Sequence, residues 1–224
     1  MKKILIFGSG FHAKVVFFEI MQLKNYKVLG FVDNYIEIGK VIIKYKNKIY
    51  NNLGSINNVL KKYYNSSYSG VIGIGSNYVR KKICKEVTNI NKNFIWTTII
   101  SVNAKINGNV QIGKGSVIIS GAIINNGSVI GDHCLINTSS SIDHDNFFNN
   151  YSSTGPGVVT GGNVNIGYAS HLGIGSVIKN KINIGDNTII GGNSFVNKDC
   201  LDNSIYFGIP SKRVRKIRVE KDFI

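Results

Sequence analysis

The stretch "NVQIGKGSVIISGAIINNGSVIGDHCLI", residues 109–136, repeats one pattern every six residues. Every sixth residue from Ile106 to Val196 gives a series of sixteen positions, and fourteen of them hold Ile, Leu, Val or Phe. A small side chain usually follows four residues later. The residue directly after the apolar one is usually Gly, Asn or Asp, which tolerate turn geometry. Hexapeptide periods of this kind are typical of β-helix solenoids, so we predict a β-helix without insertions here.

The first 95 residues follow a different pattern, in which strands and helices alternate. "KKILIFG" is a short apolar run of the kind found in buried parallel strands, and "GSGFHAKVVFFEIMQLK" continues with helical spacing. "YKVLGFVDN" and "YSGVIGIGSN" predict two further strands, "YVRKKICKEVTN" a helix, and "KVIIKYKNKIY" a small hairpin around its Lys-Asn pair. The predicted organisation is therefore a small Rossmann-like α/β domain, residues 1–95, followed by an all-β domain, residues 96–224, with a basic tail.

Charge and cysteine content limit the class of protein. The chain has 27 Lys or Arg against 12 Asp or Glu, a formal charge of +15 that favours anionic ligands. The lysines are dispersed and no nucleic-acid-binding motif occurs, so nucleic acid is not the expected partner. Cys84, Cys134 and Cys200 are odd in number and far apart, which disfavours a disulfide framework or a metal site and fits a reducing cytoplasm. The apolar run from Ile4 to Phe7 is too short for a signal peptide or a membrane span.

A glycine-rich loop follows the first predicted strand. "GSGFHA", residues 8–13, has the spacing of a dinucleotide fingerprint, and Gly8 and Gly10 would let backbone N–H groups approach a phosphate at a helix start. Asp33 ends the second strand, where it can accept hydrogen bonds from a ribose or a base. Because the α/β half ends before Trp96, it is too short to hold a whole dinucleotide. A mononucleotide attached to a sugar fits better, and a nicotinamide-linked oxidoreductase is disfavoured.

Several motifs together carry a resemblance to a known family. They are "IFGSGFHAKVV", "GFVDN", "GIGSNYVRKKI", "SIDHD", the hexads and "FGIPSKRVRKI", and they span nearly the whole chain. With them the chain resembles the sugar acetyltransferases that include the sialic-acid O-acetyltransferase and the bacillosamine-pathway N-acetyltransferase. The resemblance implies a left-handed β-helix with three hexads per coil, assembled as a homotrimer. It also implies acetyl-CoA bound between neighbouring subunits and a nucleotide-linked sugar held by the α/β domain, with no metal.

The resemblance points to the Asp-His-Asp cluster in "SSSIDHDNFFNN", residues 139–150, as the catalytic site. His144 would remove the proton of the attacking amine or hydroxyl, and Asp145 would fix the ring and stabilise the imidazolium. Asp143 is assigned to turn geometry. The backbone N–H of Gly162, one coil above His144, would face the thioester oxygen as it becomes negative. We expect His133 and His171 at the surface and Cys134 in a small core slot.

The acetyl-CoA residues are assigned on the same resemblance, whereas the nucleotide residues are assigned from the glycine-rich loop and the strand ends, in agreement with it. Many relatives carry a second histidine nine residues after the catalytic one, whereas this chain has Ser153, and "NFFNNY" replaces a regular hexad. The residues assigned to acetyl-CoA are Ser153, Gly162, Ile174, Gly192, Gly208 and Lys212. The residues assigned to the nucleotide sugar are Gly8, Ser9, Gly10, His12, Asp33, Asn34, Gly75 and Asn77.

The function expected first is transfer of acetyl from acetyl-CoA to the amine of a nucleotide-linked amino-deoxy sugar. One alternative is O-acetylation of a sialic or related sugar, which uses the same base. Another is a non-catalytic trimeric β-helix that binds a sugar nucleotide. Ser153 favours that reading and the Asp-His-Asp cluster opposes it. The nucleotide is left open among UDP, GDP, dTDP and CMP.

Overall fold

The computed structural model of the chain describes residues 1–63 and 67–217. Within these ranges a parallel sheet with flanking helices is followed by a left-handed parallel β-solenoid of about six turns, which confirms the predicted fold class. The first solenoid strand begins at Ile99. The domain boundary at residues 95 and 96 stays a prediction, and residues 218–224 of the second domain, including the end of the basic tail, lie outside the described residues.

The N-terminal half contains a three-stranded parallel sheet in the order β2-β1-β5. Residues Ile4 to Phe7 of the central strand are fully buried, because the sheet is covered on both faces. Ser55 caps α2, a helix with no counterpart among the predicted elements, by accepting a hydrogen bond from the N–H of Asn58 at 3.4 Å. The elements of this half are β1 (Lys2–Phe7), α1 (Phe11–Gln22), β2 (Tyr26–Val32), β3 (Val41–Tyr45), β4 (Lys48–Asn51), α2 (Ile56–Lys62), β5 (Ser69–Ile72) and α3 (Asn77–Ile90).

The predicted hairpin is present and consists of β3 and β4, which pair antiparallel. Lys46 and Asn47 connect them with φ angles of 45° and 59°. Two successive positive φ values give a two-residue turn whose twist matches that of the flanking strands. The Lys-Asn pair therefore marked the turn correctly.

The solenoid is built from two-residue strands that recur every six residues. Strands 18 residues apart pair in parallel, so that Ile124, Ile142 and Thr160 lie on successive coils. This confirms three hexads per coil. The strands are β6 (Ile99–Ile100), β7 (Lys105–Ile106), β8 (Gln111–Ile112), β9 (Val117–Ile118), β10 (Ile123–Ile124), β11 (Val129–Ile130), β12 (Leu135–Ile136), β13 (Ser141–Ile142), β14 (Phe147–Phe148), β15 (Ser153–Thr154), β16 (Val159–Thr160), β17 (Asn165–Ile166), β18 (His171–Leu172), β19 (Val177–Ile178), β20 (Asn183–Ile184), β21 (Ile189–Ile190) and β22 (Phe195–Val196).

Three faces form a triangular prism. The first face contains β7, β10, β13, β16, β19 and β22, and the second contains β8, β11, β14, β17 and β20. The third face contains β6, β9, β12, β15, β18 and β21. It continues into β23 (Ser204–Gly208), which pairs antiparallel with β24 (Ser211–Lys216). The connecting turns make three edges, each of which joins two faces.

The second residue of each strand points into a common core. From Ile118 to Val196 this series is buried, and the two polar members, Thr154 and Thr160, are buried as well. Their hydroxyls accept hydrogen bonds from the backbone N–H groups of Asn137 at 2.8 Å and Asp143 at 3.3 Å. Threonine is tolerated in the core because its polar atom is satisfied by the neighbouring turn.

The α/β half packs on the third face. Val117, Ile119 and Leu135 share an apolar cluster with residues of α1, among them Phe17. Arg80 of α3 is 3% exposed and donates to the carbonyls of residues on both sides of this junction. These are Ile74, Gly75, His133, Tyr151 and Ser152, at 2.6 to 3.4 Å. The glycine loops are thereby fixed relative to the third face.

Candidate active site

His144 and Asp145 lie in the turn between β13 and β14, at the edge that joins the first and second faces. Their side chains are 55% and 54% exposed, and Nδ1 of His144 is 2.8 Å from Oδ2 of Asp145. Asp143 accepts a hydrogen bond from the backbone N–H of His144 at 2.8 Å, as a turn-forming residue does. The cluster is therefore preformed on an open edge.

The contact with Asp145 determines which nitrogen of His144 is available. An ionised carboxylate only accepts hydrogen bonds, so Nδ1 carries the proton and Nε2 of the neutral ring keeps its lone pair. The hydrogen bond to Asp145 raises the pKa of His144, and the negative charge of Asp143 raises that pKa further. The pair has the orientation required of a general base that is stabilised after it takes a proton.

Gly162 lies directly above His144, as the spacing of 18 residues predicts. A Cβ atom at Gly162 would be 2.5 Å from Nε2 of His144, so any side chain there would cover this nitrogen. The backbone N–H of Gly162 donates no hydrogen bond to a residue that the structure describes. Space and a free donor therefore coincide beside Nε2.

A buried asparagine that the sequence reasoning missed holds this geometry together. Asn146 is 1% exposed, and its Nδ2 donates to the carbonyls of Asp143, His144 and Gly161 at 2.7, 3.3 and 3.0 Å. Its Oδ1 accepts from the N–H of Val164 at 3.1 Å. Asn146 occupies the corner slot in which Ser is the commonest residue, and no other hexad between residues 106 and 200 has Asn there. That difference was the signal by which the sequence could have identified it.

The predicted nucleotide residues divide into two groups. Gly8, Asp33 and Asn34 line a cavity of about 180 Å³, and Oγ of Ser9 donates to Oδ2 of Asp33 at 2.6 Å. Gly8 has a φ of 98°, and a Cβ there would lie 2.6 Å from Cγ1 of Ile74. Only glycine satisfies both conditions, so Gly8 shapes the loop above this cavity.

The second group, Gly10, His12, Gly75 and Asn77, lies on the loops before α1 and α3 and in the first turns of these helices. A Cβ at Gly10 or Gly75 would meet no atom of the described residues within 4 Å, so both glycines border open space. Burial, and then the charge of Arg80, lower the pKa of His12 to about 4, which keeps it neutral at pH 7. Asn77 is instead committed to structure, because its Nδ2 donates to the carbonyls of Ala169 and Ser170 at 3.0 and 3.1 Å.

The residues assigned to acetyl-CoA lie on more than one edge. Ile174 is 60% exposed at the edge between the third and first faces, and a Cβ at Gly192 would lie 3.0 Å from its Cγ2. Gly208 and Lys212 lie on the hairpin that continues the third face. Gly162, by contrast, lies beside His144 on another edge. One chain therefore does not bring this set together.

Ser153 is fully buried, and its Oγ lies 2.7 Å from Nδ1 of His171. The expectation that His133 and His171 are surface residues was wrong. His133 is 2% exposed and stacks on Tyr151, with ring centroids 5.2 Å apart and planes at 6°. His171 is only partly exposed. Both lie at the junction with the α/β half. The hexapeptide repeat alone did not predict that this half covers the third face. Cys134 is buried in the core, as expected.

Across residues 1–63 and 67–217, no cluster of three His, Cys, Asp or Glu side chains is arranged to bind a metal ion. In the same part of the chain, no helix has the length and apolar character needed to cross a membrane. The cytoplasmic location expected from the cysteine content stays a prediction.

Known proteins resemble this chain in both halves. Residues 3–87 match the PglD N-terminal domain family. The whole chain resembles PerB from Caulobacter crescentus, whose structure contains CoA and GDP-perosamine, with a TM-score of 0.85 and 26% identity over 96% of this chain and 98% of that one. Two other structures of the perosamine N-acetyltransferase carry Asn or Ala in place of one histidine.

Two less similar proteins share the fold. The acetyltransferase domain of PglB from Neisseria gonorrhoeae FA1090, in complex with acetyl coenzyme A, has a TM-score of 0.84 and 24% identity, covering 95% of this chain and 99% of that one. WeeI from Acinetobacter baumannii AYE has a TM-score of 0.83 and 22% identity, covering 96% and 100%. The resemblance read from the sequence motifs is thus confirmed along nearly the whole chain.

Proposed function

We propose that this chain, a hexapeptide-repeat sugar acetyltransferase with a PglD-type N-terminal domain, transfers acetyl from acetyl-CoA to the amine of a nucleotide-linked amino-deoxy sugar. The observation that supports it most is the free Nε2 of His144 beside Gly162, with Nδ1 held by Asp145. That arrangement suits proton removal from a nucleophile next to a developing oxyanion.

The reaction is a direct attack on the thioester. The amine nitrogen bonds to the acetyl carbon and gives a proton to Nε2 of His144, while the N–H of Gly162 stabilises the oxyanion. The carbon–sulfur bond then breaks, and the leaving thiolate takes the proton from the imidazolium. Asp145 stabilises the imidazolium in between, without taking the proton itself.

The nucleotide sugar is assigned to the α/β half. The cavity beside Gly8, Asp33 and Asn34 offers carboxylate and amide groups to a base or ribose, and the open loops at Gly10 and Gly75 leave room for phosphates. Acetyl-CoA is assigned to the edge at Ile174 and Gly192 and to the β23–β24 hairpin. There the exposed Ile174 provides an apolar contact, and the exposed cation of Lys212 suits CoA phosphates.

A homotrimer is proposed because the parts of the site are separated within one chain. Arg80 and Asn77 hold the loop at Gly75 against turns that join the second and third faces, whereas His144 lies at the edge between the first and second faces. A neighbouring copy can bring its His144 edge to the loops of the first chain. Mixing inactive His144→Ala and Asp33→Ala chains should then restore part of the activity in mixed trimers, while each variant alone stays impaired. No recovery after subunit exchange would contradict a shared site.

The reaction is tested by incubating the protein with acetyl-CoA and a panel of amino-sugar nucleotides and following free thiol release. Release with one amine-bearing nucleotide supports the proposal and identifies the substrate. Release with a sialic acid but with none of the amino sugars would instead support O-acetylation. A protein that binds a sugar nucleotide but releases no thiol with either class would be the non-catalytic alternative.

A further inference from the structure

The outward positions of the third face form a ladder in which two polar residues interrupt an apolar series. Val117 and Leu135 are buried below them and Ile189 above them. Between them stand Ser153 and His171, paired in register on β15 and β18. The α/β half packs against the lower part of this ladder, including Val117 and Leu135, and Ser153 is itself fully buried, so a polar pair at this level calls for an explanation.

The hydrogen bond within this pair fixes the tautomer of His171. Ser153 is 0% exposed, and the Nδ1 atom of His171, at 2.7 Å, is the one partner of its hydroxyl among the described residues. If Nδ1 were the donor, the hydroxyl proton would be buried without an acceptor, which is costly. The hydroxyl therefore donates to Nδ1, and the proton of the neutral ring lies on Nε2.

Nε2 itself remains available. It makes no hydrogen bond to any described residue, and it is not buried away from solvent. Burial, and then the charge of Arg80, lower the pKa of His171 to about 4. At pH 7 the ring is thus neutral and presents one N–H donor.

The position of His171 lies between the two predicted binding regions. The carbonyl of Ser170, its chain neighbour, accepts a hydrogen bond from Asn77 at the start of α3, directly after the open loop at Gly75. Three residues further along the chain, Ile174 is exposed at the edge assigned to acetyl-CoA. The two substrates of the proposed reaction have to meet between these points.

We propose that His171, oriented by Ser153, donates a hydrogen bond from Nε2 to a substrate oxygen where the nucleotide-linked sugar and the acetyl thioester meet. This proposal rests on the proposed function for its substrates. The oxygen belongs either to the sugar nucleotide or to the thioester. Both are acceptors that suit a neutral N–H donor, and kinetics distinguish them.

The tautomer is measured directly by nitrogen-15 NMR of histidine-labelled protein at pH 7. We expect His171 to be neutral with its proton on Nε2, and Ser153→Ala to give a mixture of both tautomers. A protonated ring, or a proton on Nδ1 in the unmodified protein, would overturn the proposal. This measurement does not depend on acetyl transfer.

Kinetics of His171→Leu test the role. Leucine suits the apolar ladder, so the fold should persist, whereas loss of the donor should lower kcat/KM about 10- to 100-fold. His171→Gln, which retains an N–H donor of similar reach, should recover part of the loss. A rise in KM for the sugar nucleotide alone assigns the oxygen to the sugar, and a fall in kcat with both KM values unchanged assigns it to the thioester.

Ile189→Val is the matched control, because it alters the same ladder one coil above without touching the donor. Wild-type kcat/KM in His171→Leu would overturn the proposal while leaving the acetyl transfer itself intact. If the unmodified protein transferred no acetyl group to any acceptor, the proposed function would fail instead. In that case sugar nucleotide or CoA should still shift the Nε2–H signal of His171, and no shift with either ligand would overturn the proposal.

Discussion

Asp145 reaches back to His144, its neighbour in the chain, with Oδ2 2.8 Å from Nδ1, because Asp145 adopts a φ of 56°. Adjacent residues in a strand point to opposite faces, so this contact depends on the turn. Aspartate is one of the few side chains that enter the left-handed region readily, and it also supplies the carboxylate. One residue thus serves the turn and the orientation of the ring.

Asp145→Asn should shift the pH profile of acetyl transfer. The carboxylate raises the pKa of His144, and His144 must be neutral to accept a proton. Asparagine can offer Nδ1 only a weaker, neutral hydrogen bond, so the pKa of His144 falls and the acidic limb of the kcat profile moves to lower pH. The plateau value of kcat also falls, because the imidazolium is less stabilised. The profile is measured from pH 5 to 9, with Asp143→Asn as a comparison that should shift the limb less. An unchanged limb in Asp145→Asn would contradict the role of this pair.

Gly162→Ala should lower kcat at least tenfold, since the added methyl would lie 2.5 Å from Nε2 of His144. The same substitution in a His144→Ala background should cause little further loss, because the nitrogen that it obstructs is then absent. The measurement is the double-mutant cycle in kcat. Additive losses would show that Gly162 acts independently of His144.

Asn146→Ser should impair catalysis by loosening the turn that carries His144. Serine is the commonest residue in this corner slot, but it cannot reach the three carbonyls that Asn146 binds. We expect a loss of about 1 to 3 kcal/mol in the free energy of unfolding and a clear fall in kcat. Ser176→Ala changes the same slot on another coil, where the buried hydroxyl has no hydrogen-bond partner among the described residues, and should leave kcat unchanged. Equal kcat values in both variants would show that Asn146 does not support the catalytic turn.

The fold should lose stability as the pH falls from 6.5 to 4, with His133 as a main contributor. Burial above all lowers the pKa of His133 to about 4, so below 6.5 the unfolded chain binds a proton that the folded chain excludes. The loss for this residue is on the order of 3 kcal/mol and levels off below pH 4. Urea unfolding of His133→Phe, which retains an aromatic ring against Tyr151, should depend less on pH in this window. An equal pH dependence in both proteins would contradict a buried neutral imidazole.

The repeat allowed most of the solenoid to be predicted, because each coil obeys the same local rule. The six-residue pattern is sufficient to place Ile142 in the core and His144 on the turn that follows it. The coil stacking that places Gly162 over His144 followed from the family resemblance, not from the repeat. The polar core residue Thr160 was an exception whose partner, the N–H of Asp143, could be identified only from the structure.

The junction between the two halves could not be predicted in the same way. Nothing in the hexads indicates which of the three faces is covered, so His133 and His171 were wrongly expected at the surface. Arg80 and Asn77 fix that choice through contacts to backbone carbonyls, which carry no sequence signal. Asn146 was detectable as the one asparagine in a slot where Ser is the commonest residue. The carbonyl groups that its side chain binds could not be identified from the sequence.

The most direct test of the account is kcat for His144→Gln with acetyl-CoA and the amino-sugar nucleotide that the panel identifies. Loss of the general base should lower kcat by about 10² to 10⁴, with KM for acetyl-CoA and the oligomeric state unchanged, because the exposed ring supports neither the core nor the coil stacking. A variant that keeps more than a tenth of the wild-type kcat would show that another group takes the proton, and the account of this site would be wrong.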